Sequence, residues 1–257
     1  MSLLLIALCL GAGCLIGFMG GVLGIGGGMI AIPALVLLMG MSQQLAQGTA
    51  LIMVLPTIIM AVRKYNQQTR IDRRVALAGA GGAVVFTWVG ARLALGIESG
   101  VLRLSFAVFL FFIALFYAWQ TWRAGLARRA PRASGNAPVF TPRRASVLGM
   151  LCGTLGGFFG VGGAVLAVPI ITTVFRLPQT TAQALALCMV IPGSAVALAT
   201  YSWAGQAAWL VGLPLAAGSL LFVPVGVRLA YRLPERKLRA CFAAMLFATV
   251  ALLIFES

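Results

Sequence analysis

The sequence contains no histidine, so it lacks the commonest general base and the commonest metal ligand together. Acidic residues are nearly as scarce: Asp72, Glu98, Glu235 and Glu256 are the only four. No two of them share a motif, which argues against paired-carboxylate catalysis and metal-dependent hydrolysis. No metal site and no cofactor is expected. The five cysteines, Cys9, Cys14, Cys152, Cys188 and Cys241, are odd in number, contain no CxxC and lie in apolar stretches. A disulfide framework or a zinc site would need closer, paired spacing. Buried inert thiols are the expectation, with Cys188 the best placed of the five to touch a substrate. Charge of either sign makes up only 9% of the chain, against roughly 25% in an average soluble domain.

Apolar side chains take the place of charge. They are 61% of the 257 residues, and the mean hydropathy is +1.05. A water-soluble globule of this size could not cover its surface with 19 Lys+Arg and 4 Asp+Glu, so the chain needs lipid as its solvent. A helix takes about 20 apolar residues to cross the hydrocarbon core. Uncharged runs give ten candidates, at about 3–22, 24–41, 45–62, 75–96 and 101–122, then 145–159, 160–176, 182–200, 208–230 and 238–255. The first lacks the basic lead of a secretory signal and reads as a transmembrane helix.

The chain repeats itself without a gap at an offset of 136 residues. Gly20-Gly-Val-Leu-Gly-Ile-Gly-Gly-Gly-Met-Ile-Ala-Ile-Pro33 faces Gly156-Gly-Phe-Phe-Gly-Val-Gly-Gly-Ala-Val-Leu-Ala-Val-Pro169, and half of these positions are identical. Gln43 to Pro56 faces Gln179 to Pro192, Phe86 to Ala94 faces Phe222 to Ala230, and Leu102-Arg103 faces Leu238-Arg239. The domains expected are a first repeat at 1–122, a basic linker at 123–144 and a second repeat at 145–257.

The net charge of +15 then acquires a direction. The loop after the third span carries Arg63, Lys64, Arg70, Arg73 and Arg74, while its counterpart at 201–208 has no charge. In the next loop the pattern swaps: 97–102 carries only Glu98, and its counterpart carries Arg232, Arg236 and Lys237. Lys and Arg concentrate in cytoplasmic loops, so equivalent loops are expected on opposite sides of the membrane. The fold expected is an all-α polytopic membrane protein with about ten transmembrane helices in two inverted five-helix repeats. Basic loops would be cytoplasmic and both termini periplasmic. Secondary transporters built this way hold substrate near the midplane between repeats.

The candidate site follows from residues hostile to a membrane helix. Gly24, Gly26, Gly27 and Gly28 in the first repeat, and Gly160, Gly162 and Gly163 in the second, each precede a short apolar stretch with a proline, Pro33 or Pro169. Unwound backbone in lipid leaves polar groups unsatisfied unless it lines a cavity or is buried in protein. A break followed by a helix start presents free N–H donors and about half a positive charge, which suits an oxyanion. Close helix packing, as at Gly13-x-x-x-Gly17 and Gly20-x-x-x-Gly24, is the alternative use of glycine. Gln47 and Gln183, at matched positions, could donate to an anion or tie helices together. Thr49 follows Gln47, but its counterpart is Leu185. That difference favours the first repeat as the more polar contributor. Tyr65 and Tyr201 read as interfacial anchors. Arg92 and Arg228, near span ends, read as snorkelling side chains, with a vestibule role as the alternative.

These motifs resemble the sulfite exporter TauE/SafE family. The paired Gly-x-Gly-Gly-Gly…Pro segments, the Ala46-Gln47-Gly48-Thr49 stretch and the five-plus-five repeat carry the resemblance over essentially the whole chain. It implies a bacterial inner-membrane permease for small sulfur-containing anions such as sulfite, sulfoacetate or related sulfonates. The family signature falls on Gly24, Gly26, Gly27, Gly28, Pro33 and Thr49, and on Gly160, Gly162, Gly163 and Pro169. The chain departs from it at Ala164 and Leu185. The expected partners are a small anion and the lipid bilayer; homo-oligomer formation stays open, and nucleic acid is not expected. The chain is not expected to be an enzyme. Proton-coupled uptake of a related anion and a non-transporting scaffold subunit are the other readings.

Overall fold

A computed structural model describes residues 3–68, 72–126 and 139–255, all of the regular structure being helical among them. The ten helices are α1 (Leu3–Leu23), α2 (Gly28–Met39), α3 (Gln43–Gln68), α4 (Arg73–Leu95), α5 (Ser99–Leu126), α6 (Pro142–Phe159), α7 (Ala164–Val174), α8 (Gln179–Trp203), α9 (Trp209–Arg232) and α10 (Glu235–Phe255). Each expected run holds one helix. Arg70 and most of the 123–144 linker lie outside the described residues.

Two of the ten expected spans are short. α2 has 12 residues and α7 has 11, so each is about 16–18 Å long, little more than half of a ~30 Å hydrocarbon core. The glycines that precede them consume the length a full span would need. Six helices, α1, α3, α4, α5, α8 and α9, are long and apolar enough to cross a membrane by length and composition.

Local chemistry starts several helices. The Asp72 carboxylate accepts from the N–H of Arg74 at 2.9 Å and of Val75 at 3.4 Å, capping α4. Thr141 caps α6 through the Arg144 N–H, with Pro142 in the first helical turn, where its missing N–H costs nothing.

Packing follows the repeat. α1 lies along α9 and α4 along α6; α3 contacts α8 and α9, α8 also contacts α4, and α5 pairs with α10. Exchanging helices at the 136-residue offset turns α1–α9 into α6–α4 and α3–α9 into α8–α4. The two longest contacts are seams of small residues. A methyl group at Gly13 or Gly17 would strike the α9 backbone at Leu215 or Ser219. At Gly149, Gly153 or Gly157 it would strike the α4 backbone at Gly79, Ala83 or Thr87. Close backbone approach supplies the dispersion contact that lipid-facing Leu cannot. Outside these seams Leu4, Leu77, Leu104, Phe112 and Leu210 stand exposed, as lipid-facing side chains do.

Candidate functional site

Both glycine segments are breaks between helices. Gly24, Gly26 and Gly27 have φ of 66°, 74° and 83°, and Gly160, Gly162 and Gly163 have 68°, 77° and 73°. This left-handed region costs other residues roughly 1–2 kcal/mol each, which is why the sequence repeats glycine at these places. Gly28 is the exception: it is already the first residue of α2, and glycine serves there because Val161 of the other break lies beside it, at 3.4 Å from where a Cβ would stand. Gly27 and Gly163 cap α2 and α7 without any side-chain hydrogen bond. The first helical bonds are donated by Ile30 and Ala31 to the Gly27 carbonyl, and by Leu166 and Ala167 to that of Gly163. The N–H groups ahead of them are the donors every helix start leaves over.

The breaks approach α3 from opposite ends and meet near its middle. Gly24 lies against the Gln183 side chain, 2.5 Å from where its Cβ would be, and Gly160 lies against Gln47 at 2.7 Å. Gln183 donates to the Leu23 carbonyl at 2.7 Å and accepts from the Tyr65 hydroxyl at 2.9 Å. At the other end the Tyr201 hydroxyl donates to Gln47 at 2.8 Å and lies 3.1 Å from the Gly157 carbonyl. Gln183 therefore ties its repeat directly to the end of α1, whereas Gln47 reaches the end of α6 only through Tyr201. The amide of Gln183 is fully engaged. The amide nitrogen of Gln47 is buried without a partner.

Tyr65 and Tyr201 are fully buried, so they are cross-ties and not the interfacial anchors expected. The apolar surroundings misled because the polar partner comes from a segment more than a hundred residues away. Thr49 is buried and accepts from the Ala208 N–H at 2.9 Å, fastening the start of α9. Arg92 and Arg228 are exposed, with the Arg92 guanidinium 5.7 Å from the Trp88 ring centre, as snorkelling predicts.

Between the breaks lies the centre of the bundle. Val54 touches the positions of Gly26, Gly28 and Gly162. Beyond Gly162 a narrow crevice, without room for a water molecule, runs between α4, α6 and α8; Thr87, Gly162, Gly193 and Ser194 line it. The Ser194 hydroxyl is buried and has no hydrogen-bond partner. It lies 3.1 Å from where a Cβ on Gly162 would stand. A buried hydroxyl left unpaired costs about 1–3 kcal/mol. Sequence reading passed over Ser194 and favoured the first repeat. The signal was a mismatch at the offset: Thr57-Ile58 follows Pro56, whereas Gly193-Ser194 follows Pro192.

A larger cleft of about 380 Å³ lies between α3, α4 and α8, with Asn66, Arg73, Cys188 and Pro192 in its walls. Exposed Leu77 also stands in its wall, on the lipid-facing side, while Asn66 and Arg73 place its outer part near the end of the bundle where α3 finishes, marked by the 3.3 Å hydrogen bond from Tyr231 to the Tyr65 carbonyl. The helix starts at Arg73, Pro142 and Glu235 share this end, which carries Lys64, Arg74, Arg143, Arg144 and Arg232. The other end, where the Gln43 N–H donates to Ser99, holds Glu98 together with Arg92 and Arg103, while Asp72 belongs to the basic end.

Comparison with known proteins agrees with this architecture. A membrane transporter protein of Bacillus subtilis (strain 168) named YunE, described as probable, is 25% identical over 94% of this chain and 93% of its own length. A similarly described protein of Xylella fastidiosa (strain Temecula1) is 26% identical over 96% and 94%. MJ0441 of Methanocaldococcus jannaschii, also described as a probable membrane transporter, is 23% identical over 95% and 93%. No solved structure matches. The family model described as sulfite exporter TauE/SafE matches residues 9–253, and the chain belongs to that family of membrane proteins.

Proposed function

We propose that this chain is a secondary transporter that exports small sulfur-containing anions, sulfite, sulfoacetate or related sulfonates, across a bacterial inner membrane. The two repeats are inverted, the basic end is cytoplasmic, and alternating access occurs by rocking one repeat against the other. The observation that carries this reading is the pair of glycine breaks: they converge against the middle of α3 at Val54, where Gly28 meets Val161. Each leads into a half-length helix whose first N–H groups have no side-chain cap. Free donors at a helix start favour an anion.

The substrate class comes from the family description, and the scarcity of carboxylates fits it. No acidic side chain is needed, because a membrane potential negative inside drives an anion outward by ~2.3 kcal/mol per charge per 100 mV. The glycine breaks, with the unpaired amide of Gln47 beside Gly160, would line the passage.

The test is flux of labelled sulfite and sulfoacetate from proteoliposomes containing the purified chain. Flux above empty liposomes is expected. Gly27→Leu, which puts a branched side chain into the first break, is expected to abolish it. Retention of full flux in a well-folded Gly27→Leu variant would overturn the proposed passage.

A further inference from the structure

The two seams related by the repeat are not equivalent inside. In the seam of α3 with α9, Thr57 and Ser219 bond to each other at 2.7 Å, Thr57 also bonds to the Met53 carbonyl, and Ile58 fills the space facing Gly26. Every hydroxyl there is satisfied within the protein. At the matched positions in the seam of α8 with α4 stand Gly193, Ala83 and Ser194. Loss of one side chain, shortening of two and a net exchange of two bonded hydroxyls for one leaves a crevice in place of a filled core, with the buried Ser194 hydroxyl unpaired on its wall. The same difference recurs further along. Ile52 packs onto Gly212, whereas the matched pair is Cys188 and Ala76, both in the wall of the basic-end cleft. Along α4 and α8, the cleft at Ala76 and Cys188 is separated from the crevice at Ala83, Ser194 and Thr87 by the buried Met189 side chain, which packs on Gly79.

We infer that the anion is held in one seam only, and that it reaches that seat from the basic end along α4 and α8. This rests on the transporter reading above and adds where the ligand sits and how it enters. Ser194 donates its hydroxyl to the oxyanion, Thr87 faces the same space beside Gly193, and the start of α7 behind Gly162 contributes its free N–H groups. Asn66 and Arg73 stand at the entrance and draw anions in. The conformation described is closed at the seat and open beneath it. Pro192 cannot donate to the Cys188 carbonyl, so α8 has a weak point between cleft and seat at which to swing away from α4.

Two measurements test this. Sulfite flux is compared in proteoliposomes of unaltered protein, Ser194→Ala, Ser194→Thr and Ser219→Ala. The last removes a hydroxyl from the opposite seam. A lost hydrogen bond to a charged ligand lowers flux at limiting sulfite about tenfold or more and raises the half-saturating concentration. That is expected for Ser194→Ala alone, while Ser194→Thr retains flux. Unchanged flux in Ser194→Ala, or an equal loss in Ser219→Ala, overturns the seat and leaves the transporter reading standing. Absence of sulfite flux in unaltered protein overturns the transporter reading, and the seat with it. Independently of substrate, a variant with Cys188 as its single cysteine is labelled with a membrane-impermeant maleimide. Labelling in inside-out vesicles only is expected. Labelling from the other face only, from both equally, or from neither overturns the entry path.

Discussion

At the scale of single residues the molecule distinguishes polar side chains that hold it together from those left free. Gln183 makes two hydrogen bonds across the repeat interface and Gln47 makes one, with its amide nitrogen unpaired. Replacing Gln183 with Leu strips the Leu23 carbonyl of its partner, while the Tyr65 hydroxyl keeps the Gly21 carbonyl at 3.0 Å, and is expected to cost about 1–3 kcal/mol for the buried group left unpaired. Replacing Gln47 with Leu also removes an unsatisfied N–H and is expected to cost clearly less. Thermal unfolding of the two variants in detergent checks the order; equal destabilisation would contradict it. Gly163→Ala adds a side chain at a φ of 73° that would strike the Cys152 carbonyl. A loss of more than the ~1–2 kcal/mol of backbone strain alone is expected in the same assay.

At the scale of elements the sequence was informative wherever lipid dictates the answer. Uncharged runs located ten helices, because a backbone in hydrocarbon has to satisfy its hydrogen bonds within the segment. The breaks were legible because glycine and proline recur at matched positions. What could not be read was which small or polar residue does which job. Gly13 and Gly17 follow the spacing of packing glycines and pack; Gly26 and Gly162 lie a few residues from similar seams and turn the chain instead. Tyr65 and Ser194 each owe their role to what stands opposite them in the other repeat, which a linear reading does not contain. The seam elements yield a further expectation. Gly153→Leu drives a side chain into the α4 backbone at Ala83, so α4 and α6 must part. Overpacking of this kind costs about 1–3 kcal/mol and should lower the unfolding temperature, while Gly11→Leu, with nothing near its Cβ position, should leave it unchanged.

At the scale of the whole molecule, charge placement and internal symmetry describe one device. Most Lys and Arg among the described residues stand at one end of the bundle, and the cleft beneath Ser194 has Asn66 and Arg73 of that end in its wall. The two seams differ at their centres, one filled and the other keeping a narrow crevice with an unpaired hydroxyl. The measurement that tests the account most directly is efflux of labelled sulfite from proteoliposomes at imposed membrane potentials. The account predicts efflux above that of empty liposomes, accelerating as the interior becomes more negative, because the species moved carries net negative charge. Sulfite efflux indistinguishable from that of empty liposomes at every potential would contradict it.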